Sequence, residues 1–321
     1  EAMQMVENAR VVVYLITGFL ESGKTQFLTQ TLSQEYFEIE GTTVLILCEE
    51  GIEEYDEELL KAKNTVLLTV EDPEELTLEW LQGIDLLYHP ERVIIECNGM
   101  YPVSKMEELE APEGWGLVQE ITTVDASTFD MYIANMKPLF VEMVRNAELV
   151  VFNRCRKDMP LAAYRRNVKV VNQSAEIIFE NEDGEIDNIF DEQMPYDLEA
   201  PVVRIEDIDY GIWYVDMIDH PDRYKGKTVE FQGKILKPRG FPEDEFIVGR
   251  KAMTCCADDV TFLGYVCKSR YAQKLKAGQW IQIRGKVGFE FKRAYRGKGP
   301  VIQVEHGKGI PALSDELVYF N

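Results

Sequence analysis

Short apolar runs, rich in β-branched residues, recur along the first 180 residues of the chain. They cover residues 11–16, 43–47, 92–95 and 149–152, with shorter runs at 121–124 and 177–179. Such runs are typical of strands that are buried on both faces of a sheet. Segments with helical apolar spacing lie between them, at about 26–34, 73–82 and 128–146. Strands that alternate with helices predict an α/β fold with a mostly parallel sheet.

The pattern changes after residue 200. We expect a helix over residues 210–224, followed by short strands at 228–236, 246–255, 260–268, 280–287 and 301–304. Five short strands separated by Gly- and Pro-containing turns predict a small OB-like β-barrel. The acidic, Pro-containing stretch 181–200 is interpreted as a linker. The sequence therefore predicts one domain over residues 10–180 and a small β-rich domain over 201–321.

Composition narrows the class of protein. The chain has 321 residues, is 45% hydrophobic and contains six cysteines. No apolar run reaches the roughly 18 residues of a membrane span, so a membrane-spanning protein is not expected. The first ten residues lack the layout of a secretory signal, which predicts reduced cysteines and a cytoplasmic location.

Charge is distributed unevenly. Residues 1–200 carry 41 acidic and 14 basic side chains, a balance of −27, whereas residues 201–321 carry 16 and 20, a balance of +4. An acidic surface repels the phosphates of nucleic acids and membranes. We therefore do not expect a nucleic-acid partner.

Residues 18–25 read Gly-Phe-Leu-Glu-Ser-Gly-Lys-Thr and follow the first apolar run directly. This is the pattern of a phosphate-binding loop between a strand and a helix. Gly18 and Gly23 allow the backbone N–H groups to point at phosphate oxygens, Lys24 is expected to neutralise the β- and γ-phosphates, and the Thr25 hydroxyl is expected to bind Mg²⁺. The remaining predicted nucleotide-binding residues of the loop and helix start are Glu21, Ser22 and Gln26.

Polar residues at the ends of later strands complete the predicted site. Glu96 follows a buried run, where an acidic residue can hold Mg²⁺ and its waters, so Lys24 and Glu96 are the predicted catalytic residues. Gly99 would let the backbone approach the γ-phosphate. Asn153 and Arg154 stand where GTPases place their base-reading Asn-Lys, and Glu49 is a third candidate Mg²⁺ ligand.

Together these motifs resemble the CobW-like metal-chaperone P-loop GTPases. The resemblance rests on the loop 18–25, on Glu96-Cys-Asn-Gly99 for the family's Glu-x-x-Gly, and on Asn153-Arg154 for Asn-Lys. Val124-Asp125-Ala126 also looks like the family's Val-Val-Asp-Ala. The resemblance covers roughly residues 10–180 and implies GTP hydrolysis linked to metal handling.

Two departures from that family leave alternatives open. The family's Cys-x-Cys-Cys metal motif falls on residues 65–68, Thr-Val-Leu-Leu, so the usual thiol cluster is missing. The aspartate that reads guanine is replaced by Arg156, and Asp158 lies two residues later. The nucleotide is therefore GTP or ATP.

The second domain resembles the C-terminal domain of the YcgQ-like proteins, which are associated with permeases. The resemblance rests on residues 248–259 and on Leu263-Gly264. Three cysteines in this domain, Cys255, Cys256 and Cys267, are a candidate transition-metal site, because thiolates favour ions such as Zn²⁺. The competing interpretation is that they pack as small apolar groups.

These features predict a Mg²⁺-dependent nucleotide hydrolase, with GTP favoured, that acts as a conformational switch in metal homeostasis or delivery. The predicted ligands are a nucleotide, Mg²⁺ and a metal ion such as Zn²⁺. The alternative is a nucleotide-gated binding or regulatory protein without catalysis, which docks on a permease or another protein.

Overall fold

The structure is a computed structural model that describes residues 9–48, 54–186, 194–253 and 260–318. Its contacts divide the chain into two compact units, Glu1–Leu161 with Val171–Ile189, and Ala162–Val170 with Phe190–Asn321. Within the described ranges, no helix is both long enough and apolar enough to cross a membrane.

The N-terminal part of the chain alternates strands and helices. In chain order the elements are β1 (Val11–Thr17), α1 (Lys24–Leu32), β2 (Thr42–Leu47), α2 (Glu57–Ala62), β3 (Thr65–Thr69), α3 (Leu78–Tyr88), β4 (Pro90–Glu96), α4 (Val103–Glu107), β5 (Trp115–Asp125), α5 (Phe129–Arg145), β6 (Leu149–Asn153), α6 (Leu161–Val171), β7 (Glu176–Asn181) and β8 (Gly184–Glu185).

The strands form one eight-stranded sheet in the order β3-β2-β4-β1-β5-β6-β7-β8. All its pairings are parallel except that of β7 with β8. The predicted α/β fold with a mostly parallel sheet is confirmed. Alternate residues of a strand enter different cores: Leu15 lies in one apolar cluster and Ile16 in another. Burial on both faces explains why these strands read as unbroken apolar runs.

Several helices differ from the sequence expectation. The segment expected as one helix over 73–82 contains a 3₁₀ turn, Pro73–Glu75, and then α3, whose start is fixed because the Thr77 side chain accepts a hydrogen bond from the Trp80 N–H. Helices α2, α4 and α6 were not predicted. Helix α5 is kinked at Met136, two residues before Pro138, as a proline inside a helix requires.

The C-terminal part of the chain is mainly β-structure. Its elements are β9 (Val203–Arg204), α7 (Tyr210–Asp219), α8 (Pro221–Tyr224), β10 (Thr228–Leu236), β11 (Glu245–Met253), β12 (Val260–Lys268), β13 (Trp280–Lys292), β14 (Gly297–Ile310) and β15 (Leu317–Val318). The helix expected over 210–224 is divided before Pro221, the first residue of α8.

The five long strands of this part form a mixed sheet whose pairings return to their starting strand. Strand β10 pairs with β11, β11 with β12, β12 with β14, β14 with β13, and β13 with β10. Only the β12–β14 pairing among these is parallel. The buried core beneath them is aromatic, with Trp213 of α7 packed against Phe231 and Tyr265.

Strands β13 and β14 are longer than the strands that the sequence predicts at 280–287 and 301–304. Gly299 and Pro300, which lie between two predicted strands and were assigned to the turn there, are inside β14. A side chain at Gly299 would lie 2.3 Å from the Tyr295 ring, so glycine is needed for that ring to pack there. The Tyr295 hydroxyl donates to the Pro300 carbonyl at 2.7 Å and accepts from the Val266 N–H at 2.7 Å. The glycine therefore serves aromatic packing within a hairpin.

Candidate nucleotide-binding site

The phosphate-binding loop connects β1 to α1 at the carboxyl edge of the parallel sheet. Three of its residues adopt left-handed backbone conformations, with φ of 141° at Gly18, 60° at Glu21 and 89° at Gly23. A Cβ at Gly18 would lie 2.5 Å from the Thr123 carbonyl oxygen, and one at Gly23 would lie 2.5 Å from the Asn153 amide nitrogen. Both glycines of the motif are therefore required by φ and by space.

Neighbouring side chains hold the loop in this conformation. The hydroxyls of Ser22 and Thr123 are hydrogen bonded at 2.8 Å. The Phe19 ring stacks on Tyr132 of α5, with ring centroids 4.2 Å apart and an interplanar angle of 6°. Loop, β5 and α5 thus form one packed assembly, which keeps the backbone N–H groups in place before a ligand arrives.

Lys24 begins α1 and is almost fully buried, with 4% of its surface exposed. Its Nζ donates to the carbonyl oxygens of Gly18 at 2.8 Å and Phe19 at 2.9 Å. The ammonium group therefore lies inside the curl of the loop, within reach of any anion that the loop N–H groups bind.

Glu96 ends β4 and is also buried. The Thr25 hydroxyl donates to its Oε1 at 3.1 Å, so the two residues predicted to bind Mg²⁺ are in direct contact. β4 neighbours β1 in the sheet, and Ile16 pairs with Glu96. That register places the carboxylate at the base of the loop.

The Tyr55 hydroxyl donates a hydrogen bond to the second oxygen of the Glu96 carboxylate. Burial, followed by the charge of Glu96, raises the pKa of Tyr55 far above its usual value, so the hydroxyl remains a donor. Tyr55 was not among the predicted site residues, because it lies in an acidic stretch and is 41 residues from Glu96 in the sequence. A lone aromatic residue inside that stretch was the available signal.

Gly99 contacts the loop directly. A Cβ at this position would lie 2.6 Å from the Gly18 carbonyl oxygen and 2.8 Å from Phe19 Cα. The segment after β4 can approach the loop only because residue 99 has no side chain. The predicted approach of the Gly99 backbone to the γ-phosphate stays a prediction.

Asn153 ends β6, and its side-chain amide donates to the Ser22 carbonyl oxygen at 2.7 Å. Its Oδ1 is buried and has no hydrogen-bond partner within the described residues. Arg154 donates to the Glu21 carbonyl oxygen at 2.8 Å and to the Asp125 carboxylate at 2.7 Å. These two residues fasten the end of β6 to the phosphate-binding loop.

The side chains of Arg156 and Asp158, which follow in the sequence, lie at the surface. Arg156 and Asp158 form an ion pair at 3.2 Å, and their side chains are 61% and 72% exposed. The Arg156 guanidinium lowers the pKa of Asp158. Asp158 is thus engaged with Arg156 at the surface, and no carboxylate occupies position 156.

Five predicted site residues remain: Gln26, Glu49, Cys255, Cys256 and Cys267. Gln26 is exposed on α1. Glu49, Cys255 and Cys256 lie outside the described residues. Cys267 is fully buried near the end of β12, and its thiol donates a hydrogen bond to the Tyr265 carbonyl. Val260, seven residues before Cys267 on the same strand, pairs with Met253. The part of the chain that the structure describes contains no group of three or more His, Cys, Asp or Glu residues arranged to hold a metal ion.

Two family profiles match the chain, each over a different range of residues. Residues 12–179 match the profile described as CobW/HypB/UreG, nucleotide-binding domain, and residues 181–320 match the DUF1980 C-terminal domain. UPF0703 protein YcgQ of Bacillus subtilis (strain 168) is 23% identical over 117 residues, 36% of this chain and 41% of the relative. The match thus spans about two fifths of that relative's length.

Two solved structures resemble this chain with low sequence identity and low TM-scores. Zn(II)-bound YjiA GTPase from E. coli is 16% identical with a TM-score of 0.41, covering 86% of this chain and 94% of that chain. Hydrogenase maturation factor HypB from Archaeoglobus fulgidus is 19% identical with a TM-score of 0.39, covering 53% of this chain and 81% of that chain. The resemblances expected for both parts of the chain are confirmed by the profiles. The CobW/HypB/UreG profile matches more than half of the residues of this chain. The chain therefore belongs to the CobW/HypB/UreG family through its nucleotide-binding domain.

Proposed function

We propose that this protein is a Mg²⁺-dependent P-loop nucleotide hydrolase. The observation that carries the proposal is the contact between Thr25 and the buried Glu96 carboxylate, beside the glycine-bracketed loop. A phosphate cradle alone supports binding. Hydrolysis also needs a carboxylate that manages Mg²⁺ and its waters, and Glu96 is placed for that role.

The oxygen atoms at this point suit Mg²⁺. A hydroxyl and a carboxylate are hard ligands, and Mg²⁺ in nucleotide sites keeps several waters and few protein ligands. Bound there, the ion would neutralise charge on the β- and γ-phosphates. Thr25 and Glu96 are the residues that would hold it, while Glu49 stays a prediction.

The loop itself supplies the remaining stabilisation. Lys24 would exchange the carbonyls of Gly18 and Phe19 for β- and γ-phosphate oxygens, since all are acceptors for its ammonium group. The loop N–H groups would hold the β-phosphate, and Gly99 would admit its own N–H to the γ-phosphate. Water would then attack the γ-phosphorus, and the bond from that phosphorus to the β–γ bridging oxygen would break. Nucleoside diphosphate and inorganic phosphate, which takes up the protons of the water, would be released while these charges stabilise the transition state.

We propose GTP as the favoured nucleotide, with ATP as a second substrate. Asn153 and Arg154 lie against the loop as base-side residues should, and the buried Asn153 Oδ1 suits a donor on a base. Guanine, however, presents two adjacent donors that ordinarily meet a carboxylate. With Arg156 in that position, discrimination against adenine should be weak.

Hydrolysis would drive a conformational switch in cytoplasmic metal homeostasis or delivery. Support for a switch comes from Tyr55, which links the segment before α2 to the candidate Mg²⁺ carboxylate. Support for metal handling comes from family membership. A Zn²⁺-type site at Cys255, Cys256 and Cys267 stays a prediction.

The closed pairing of β10 to β14 supports an OB-like barrel for the C-terminal part. Its match to a separate family profile favours a second candidate function. In that alternative the nucleotide only gates binding, and the C-terminal part docks on a permease or another protein.

Nucleotide turnover tests the proposal. Purified full-length protein should release phosphate from GTP only with Mg²⁺, and Glu96→Gln should abolish release while retaining nucleotide binding. Glu91→Gln, an exposed acid on the same strand, is the matched control and should retain activity. Tight Mg²⁺-nucleotide binding without turnover in the wild type would leave only the gating alternative.

A further inference from the structure

Two buried cysteines that the nucleotide site does not use lie at the ends of neighbouring strands. Cys48 follows β2 directly, and Cys97 follows β4 directly. Their exposed fractions are 1% and 2%. Neither belongs to a metal-binding motif in the sequence, and nothing in the proposed hydrolysis requires a thiol.

The register of the sheet brings the two thiols side by side. Strands β2 and β4 are parallel, and their last recorded pair is Leu47 with Glu96. The Cys48 N–H donates to the Glu96 carbonyl oxygen at 3.0 Å, which continues the ladder by one residue. Cys48 is therefore opposite Cys97, at the spacing of about 5 Å that separates neighbouring strands.

The alternation of side chains places both thiols on the same face. Val44 and Ile46 of β2, and Val93 and Ile95 of β4, all lie in one apolar cluster. Because residues two apart on a strand share a face, the next members are Cys48 and Cys97, and both belong to that cluster.

The chemistry of this pair selects one class of ion. Sulfur donors in an apolar setting favour soft cations over Mg²⁺. Structural Zn²⁺ sites take four ligands, and the described residues contain no cluster of three His, Cys, Asp or Glu side chains. Cu⁺ accepts fewer donors, so two thiolates can hold it.

We propose that Cys48 and Cys97 form a buried two-sulfur site for Cu⁺, one residue beyond the candidate Mg²⁺ carboxylate Glu96. The inference rests on the proposed function only in regarding the ion as a cargo of the nucleotide switch. The site itself stands on strand register.

Copper stoichiometry tests the site without reference to nucleotide. Full-length reduced protein would be titrated with Cu⁺ under anaerobic conditions against a colorimetric Cu⁺ chelator. Cys48→Ser and Cys97→Ser should each lose one equivalent of tightly bound Cu⁺ relative to the wild type. Cys155→Ser is the matched control, because that thiol is also buried in the first unit, and it should retain the equivalent.

Two further variants keep the test decisive. Cys48→Val and Cys97→Val keep an apolar side chain in the cluster, and they should lose the same equivalent. The double variant Cys255→Ala/Cys256→Ala should retain it. Loss of the equivalent only in that double variant, or its retention in folded Cys48 and Cys97 variants, would overturn the proposal.

X-ray absorption of the copper-loaded protein gives an independent count of donors. Two sulfur neighbours are expected, whereas a shell dominated by nitrogen or oxygen would contradict the assignment. Failure of nucleotide hydrolysis would not affect either copper measurement. The two proposals can therefore fail separately.

Discussion

The phosphate end and the base end of the candidate site are built in different ways. At the phosphate end, Lys24 and Glu96 are buried, and glycines at 18, 23 and 99 fill positions with no room for a side chain. At the base end, the side chains of Arg156 and Asp158 are exposed and form an ion pair at the surface. The first end is fixed by sterics and buried hydrogen bonds, whereas the second depends on a few side chains that can vary without unfolding the domain.

The largest expected effect follows from removing the charge at the phosphate end. Lys24→Ala should weaken Mg²⁺-nucleotide binding by about 1.5–3 kcal/mol, roughly tenfold to a hundredfold, because a charge-assisted contact is lost. Calorimetry with GTP and ATP measures the loss, which should be similar for both. Lys61→Ala, an exposed lysine of α2, is the control and should bind normally.

The next effect concerns the space around the loop. In Gly99→Ala the new methyl group would lie 2.6 Å from the Gly18 carbonyl oxygen, so the loop must shift. Overpacking of this kind costs about 1–3 kcal/mol, and nucleotide affinity should fall by about tenfold or more. Gly83→Ala in α3 meets nothing within 4 Å and should leave affinity unchanged. Equal affinity for both variants would mean that Gly99 is not packed against the loop.

A smaller effect is expected at the Mg²⁺ carboxylate. Tyr55→Phe removes the hydroxyl that donates to Glu96 and should raise the Mg²⁺ concentration for half-maximal turnover by roughly tenfold, corresponding to about 1.5 kcal/mol. Nucleotide affinity measured without Mg²⁺ should not change. Tyr14→Phe, whose ring packs on Phe37, serves as control. An unaltered Mg²⁺ dependence would show that Tyr55 only fills space.

The smallest effect is expected at the base end. Arg156→Asp restores a carboxylate and should raise the preference for GTP over ATP several-fold, with little change in thermal stability, since the ion pair with Asp158 is exposed to solvent. Competition between labelled GTP and ATP measures this preference. Arg156→Ala removes the ion pair without adding an acceptor and should leave the preference as it was.

The contrast between the phosphate end and the base end also explains which features the sequence could predict and which it could not. The loop 18–25 could be recognised because steric demands restrict which residue types are possible there. Glu96 and Asn153 could be placed because each ends a buried strand, and strand ends of a parallel sheet meet at one edge. These positions follow from local pattern and topology together.

Long-range contacts were not accessible in this way. The bond from Tyr55 to Glu96 joins residues 41 apart in the sequence, and the contact of Arg154 with Glu21 joins residues 133 apart. The pairing of Cys48 with Cys97 needs the order β2-β4 in the sheet, which no local pattern specifies. Secondary structure was missed where elements are short, as in α4, or where a glycine makes room for a ring, as in β14.

One titration tests the central claim most directly, that the phosphate end determines binding and the base end contributes little. Calorimetric affinities of wild type and Lys24→Ala would be measured for GTP and ATP, each with Mg²⁺. We predict wild-type affinities for GTP and ATP that differ by far less than a thousandfold, and a loss of about tenfold to a hundredfold for both nucleotides in Lys24→Ala. Equal affinity of wild type and Lys24→Ala, or a preference for GTP of about a thousandfold or more, would contradict the account.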